Sequence, residues 1–200
     1  MMNVHSALEP EGDYEGVRFA DAEIADADAG GGRFIDCVFT SVTFDGPRLR
    51  RARFTDVQFA EARLISADLA ETGWTDVTFT GCVFAGVQAF ACALRRVKFI
   101  RCKLDSVNFR DTTLTDVLFE DCVMRDTDFG SGKLTRVRFG GSTLASADFT
   151  KVTCKDVDLR GADLGITAGY ESLRGATIDT IQLVSLAPLL ARHLGIVVAD

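Results

Sequence analysis

Cys82, Cys102 and Cys122 stand twenty residues apart, and they are the first side chains here that could do chemistry. A thiolate is a nucleophile and a metal ligand, but it needs a cationic neighbour or a second ligand at a workable spacing. Twenty residues is no zinc-ligand spacing, and no histidine lies near. Cys37, Cys92 and Cys154 are scattered further. His5 and His193 lie near the two ends, without a nucleophile–base context. Gly30-Gly31-Gly32 lacks the spacing of a phosphate loop. These residues predict no catalytic site, no metal and no cofactor, and they predict cysteines that act as small apolar core residues. The remaining chemistry is that of binding. Asp36, Asp56, Asp76, Asp116 and Asp156 share the twenty-residue spacing, with Arg96 and Arg136 at the same phase.

The elements that must position these residues follow from a shorter period. Phe19, Ile24, Phe34, Phe39, Phe44, Leu49, Phe54 and Phe59 open a column of every fifth residue that continues without slip to Leu164. Of its thirty positions only Ala29, Ala89 and Cys154 are not Phe, Leu, Ile, Met or Trp, and Phe90 is the only Phe outside it. The residue two places earlier is always small, from Val17 to Ala162. A period of five matches neither a helix nor a simple strand. It requires a backbone that turns a corner in every pentad, and four such turns close a square coil of twenty residues. Seven phenylalanines from Phe19 to Phe139 then stack along one face. Residues 17–178 are expected to form the coil, with residues 1–16 as an N-terminal cap or mobile segment. Ala29 with its three glycines, and Ala89 beside Phe90, read as softened corners. In a second reading, Phe90 projects outward as a contact residue.

The register breaks after Leu164, since Leu173 and Ile178 fall one residue early. Residues 179–200 read as a helix and tail, with Asp179 as N-cap and Gly195 just past the end. Pro188 is expected to kink or split that helix. A solenoid end needs a cap, and the segment serves either as that cap or as a dimer interface made by Ile181, Val184, Leu186, Leu189, Leu190 and Leu194.

Apolar residues form 47% of the chain, which excludes a disordered polymer, and no apolar run is long enough to cross a bilayer. The net charge of −7 argues against direct binding to nucleic acid or to an anionic membrane. Met1 to Gly16 shows no basic-then-apolar leader, and with six cysteines this points to a reducing, cytoplasmic setting.

The triplets Ala67-Asp68-Leu69, Ala147-Asp148-Phe149 and Ala162-Asp163-Leu164 resemble the pentapeptide-repeat proteins. The likeness runs over about residues 17–178. It implies an all-β fold, a right-handed quadrilateral parallel β-helix of about 7–8 coils with a short C-terminal helix. The order of final coil, helix and apolar tail resembles the dimeric, MfpA-type quinolone-resistance branch, which is related to Qnr. That resemblance implies a homodimer through the C-terminal segment and a non-enzymatic DNA mimic that binds DNA gyrase or topoisomerase IV and protects it from quinolones. The alternative is a general protein-interaction scaffold. Magnitude limits the mimicry, because a net −7 over a rod of about 35 Å is one charge per about 5 Å, whereas duplex DNA carries one per about 1.7 Å.

Overall fold

In the computed structural model, which describes residues 8–199, the chain winds into a four-sided parallel coil. The first face starts at strand Asp13–Glu15, the second at Arg18–Ala20 and the third at Glu23–Ala25. Each strand pairs in parallel with the one twenty residues on, as Tyr14 with Phe34, Phe19 with Phe39 and Ile24 with Phe44. The first and third faces each hold eight strands. The fourth face is thinner and is held by single bridges such as Asp28 to Arg48 and Arg48 to Asp68.

The pentad rule becomes physical at the corners. Every fifth residue from Glu11 to Gly161 has a positive φ, between 48° and 74°. Side chains avoid this left-handed region except for Gly, Asn and Asp, which tolerate it best. The frequent Asp, Gly and Ser of that column are therefore backbone requirements first.

Inside the coil, both small and large positions are buried. Phe19 stacks on Phe39 at 4.5 Å between ring centroids, Phe39 on Phe59 at 4.6 Å and Phe99 on Phe119 at 4.8 Å, all within 8° of parallel. The ring spacing equals the strand spacing, so register and stacking reinforce one another. Trp74 fits the same scheme. It lies on Phe54 and gives its indole N–H to the Thr72 hydroxyl at 2.7 Å. Ala29 and Ala89 are not softened corners. Both point into the core from the fourth face, and Ala89 leaves a void of about 20 Å³ among Leu69, Trp74, Leu94 and Phe109.

The coil begins one pentad before the column that starts at Phe19, since Tyr14 occupies the inward position and stacks on Phe34 at 4.8 Å. His5 lies outside the described residues. At the other end, a one-residue slip opposite Ala147 moves Ile166 into the buried position. A partial last coil then closes through Ala176–Thr177, which pairs with Val157–Asp158. Gly169 is indispensable there, because a β-carbon on it would sit 2.1 Å from the Phe149 carbonyl carbon.

Helix α1, Thr180–His193, covers the C-terminal end. Asp179 caps it by accepting from the Gln182 backbone N–H, and the Gln182 side-chain oxygen accepts in turn from the Asp179 backbone N–H. Pro188 does not split this helix, which runs through it as one element. The proline withdraws a hydrogen bond from the carbonyl of Val184, an exposed residue that water can serve.

Candidate functional site

The aspartate column lies on the corner between the first and second faces, and the structure breaks its charge. Arg96 grips Asp76 through both carboxylate oxygens, and Arg136 grips Asp116 in the same way. Each arginine sits one coil beyond its aspartate, so the corner reads as two neutralised pairs. These hydrogen bonds hold both carboxyl groups below their ordinary pKa. Asp36 and Asp56, at the N-terminal end of the column, have no ion-pair partner among the described residues, and Asp156 lies beyond Arg136. The column, which the sequence shows with Arg96 and Arg136 at the phase of the aspartates, is an alternating, ion-paired ladder from Asp76 onward.

A different acidic surface emerges when the first three coils are wrapped. Asp21, Glu23 and Asp26 come from the first coil, Asp36 and Asp45 from the second, and Asp56 and Glu61 from the third. All seven are exposed, and none has a cationic partner among the described residues. They cover an arc from the first corner over the second and third faces. The ion pairs of these coils fall on the opposite side, where Arg33 meets Asp13, Arg48 meets Asp28, and Arg50 meets both Asp68 and Glu71. Charge blocks along the chain hint at acidic first coils, but only the twenty-residue wrap separates the bare arc from the paired side.

Phe90 lies away from the acidic arc, on the fourth face. Its ring is half-buried under the Arg50 guanidinium, which stands 5.4 Å from the ring centre and is itself held by Glu71 at 2.7 Å. The ring is a partner of Arg50 before it is anything else.

The cysteines pack as core. Cys82, Cys102 and Cys122 are buried in one column, and each thiol donates to a carbonyl of the preceding coil, such as Cys122 to Phe99. The bond with Cys102 and burial push Cys122 up, while the bond with Cys102 draws Cys82 down. Burial raises Cys92, and it pushes Cys154 to about 11. Among the described residues no group of three His, Cys, Asp or Glu side chains is placed to hold a metal.

The C-terminal helix divides its apolar residues between two tasks. Leu186 is not available to a partner, because it is 2% exposed and turned onto the last coil. Gln182 beside it donates to the carbonyls of Leu159 and Ala162, and Asp179 accepts from Gly161. These side chains replace the bonds a further coil would make. Ile181, Val184 and Leu194 face outward at 80%, 69% and 71% exposure, while Leu189 and Leu190 are half-buried. No helix among the described residues is long and apolar enough to cross a membrane.

Residues 72–149 match the family described as pentapeptide repeat region. Among solved structures, the chain is similar to a pentapeptide repeat protein of the Arabidopsis thaliana thylakoid lumen. The two share 13% identity over 62% of this chain and 76% of that one, with a TM-score of 0.47. It is also similar to HetL of Nostoc sp. strain PCC 7120, which is involved in heterocyst differentiation regulation. There the identity is 17% over 84% and 90%, with a TM-score of 0.34. A third is QnrB1, a plasmid-mediated fluoroquinolone resistance protein, at 20% identity over 98% and 96%, with a TM-score of 0.30. No curated protein matches the chain.

Proposed function

We propose that this parallel β-solenoid, whose residues 72–149 match the pentapeptide repeat region family, acts without catalysis, as an anionic rod that occupies the DNA-binding surface of a type II topoisomerase such as DNA gyrase. The bare acidic arc of the first three coils carries this reading. Three coils span about 14 Å, so seven carboxylates give one charge per about 2 Å. Subtracting Arg18 and Arg63 leaves one per about 3 Å, within about twofold of the 1.7 Å of duplex DNA and denser than the one per about 5 Å of the whole rod. The mimicry is local, and the charge of the whole rod is a poor guide to it. Binding there would shield the enzyme from a quinolone, as the resemblance to the resistance branch implies.

A second copy is proposed to dock on Ile181, Val184 and Leu194, the face of α1 that the cap does not use. A scaffold for another protein partner is the second reading. It is favoured by the cationic coil of Arg95, Arg96, Lys98, Arg101 and Lys103, which no duplex would imitate.

The test is gyrase supercoiling with purified protein, with and without a quinolone. Wild type should inhibit or protect, Glu23→Lys/Asp45→Lys should not, and Asp76→Asn/Asp116→Asn should act as wild type. If gyrase ignores the wild type at micromolar concentration, the topoisomerase reading is lost and the scaffold remains.

A further inference from the structure

On the distal half of the second face a groove of about 840 Å³ runs along the rod axis, from Asp76 to Thr177. Arg96, Lys98, Arg136 and Arg138 line it, together with Asp76, Asp116, Asp156 and Asp158. The balance of charge is only apparent. Asp76 and Asp116 are held by Arg96 and Arg136, and Asp158 is held by Arg160 through both oxygens. Lys98 and Arg138 are exposed and have no ion-pair partner among the described residues. Asp158, next to Arg138 in the same outward column but already held by Arg160, and Asp156, beside Arg136, are the carboxylates that stand against them. Between the two free cations, in the same outward column, lies the half-buried Leu118.

We propose that this groove is a docking site for an acidic protein segment, one that lies along the axis with an apolar residue between two carboxylates. The two cations are two coils apart, about 9.6 Å, and their long side chains reach toward the ends of a short extended segment whose centre sits on Leu118. The complementarity is of charge at both ends and of apolar contact in the middle. Duplex DNA fits worse. It would set a phosphate over Leu118, and the anionic first coils of the same rod repel a dense polyanion. The site is separate from the acidic arc, and it stands whether or not the arc binds a topoisomerase.

A labelled peptide containing Glu-Thr-Leu-Thr-Glu, titrated at low salt and followed by fluorescence anisotropy, tests the proposal. Lys98→Ala/Arg138→Ala should weaken binding by about tenfold. Arg101→Ala/Lys103→Ala, which removes two exposed cations lying outside the groove, should change it by less than about twofold. A peptide with Gln for both Glu should not bind, and Ser for Leu should weaken it. All four substituted side chains are exposed, and circular dichroism of each variant checks that it keeps its fold. Absence of wild-type binding overturns the proposal, and so does equal loss in the two double variants. Stronger competition by a short DNA duplex or by inorganic phosphate assigns the cations to another anion and also overturns it. Glu23→Lys/Asp45→Lys should leave peptide binding unchanged, which keeps this site's failure distinct from that of the acidic arc.

Discussion

Arg96 and Asp76 stand at the same corner in successive coils, both in left-handed backbone, with φ of 52° and 57°, and joined by a two-pronged ion pair. Arg136 and Asp116 repeat the relationship two coils on. An arginine at a left-handed corner gives up conformational ease and gains the carboxylate one coil below. The sign of the pH effect follows. Each aspartate is held below its ordinary pKa, so its contribution is fully present above the usual carboxylate range and is lost as pH falls through the depressed value. Thermal melting between neutral pH and pH 2 should show a steeper acid-side loss in wild type than in Asp76→Asn/Asp116→Asn. Parallel curves would mean that the pairs are too well solvated to matter.

The corners also separate charge from fold. Asp56 has φ 54°, so Asp56→Asn removes a charge and keeps a side chain that tolerates this backbone. Asp56→Val places a branched side chain where it fits worst and should cost about 1–2 kcal/mol. Chemical denaturation of the two variants checks this. Equal stability would show that the corner backbone is not what selects Asp.

Much of this was legible in the sequence because both of its periods are properties of single residues. Phe39 and Cys37 are inward for the same reason in every coil, and Phe19 over Phe39 follows from counting to twenty. The pairing of Asp76 was harder to see. Arg96 stands in the same column, but whether it neutralises its neighbour or merely interrupts the stripe depends on side-chain reach. The bare arc needed the wrap and the ion-pair pattern together. Leu186 looked like Ile181 and Val184, because the face a helix buries against a solenoid end is set by the last coil, and the one-residue slip at Ala147 and Ile166 alters that coil. Pro188 obeyed a local rule only in part, since Leu186 and Gln182 anchor the helix on the turn before it.

The void beside Ala89 should accept one more carbon or two. Ala89→Val is expected to raise stability by up to about 1 kcal/mol, measured as a higher melting temperature. Phe79→Ala, which opens the same region further, should cost about 3–5 kcal/mol. If Ala89→Val destabilises, the surrounding Leu69, Trp74 and Phe109 cannot move apart, and the gap is too narrow for a methyl group.

The C-terminal helix allows its two tasks to be pulled apart. Leu186→Ala empties a buried site and should cost about 2–5 kcal/mol. Gln182→Leu strands the carbonyls of Leu159 and Ala162 and should add a further loss of about 1–3 kcal/mol, the cost of burying unpaired polar groups. Neither residue faces outward, so both effects should appear in denaturation at any protein concentration. Ile181→Glu/Val184→Glu should do the opposite, leaving the denaturation midpoint at low concentration in place while abolishing association. Sedimentation velocity distinguishes the cases. A wild-type dimer that becomes a folded monomer in Ile181→Glu/Val184→Glu assigns the outer face of α1 to a second copy. A wild type that sediments as a monomer at every concentration removes the dimer and leaves α1 as a cap alone, its outer apolar face then unexplained by self-association.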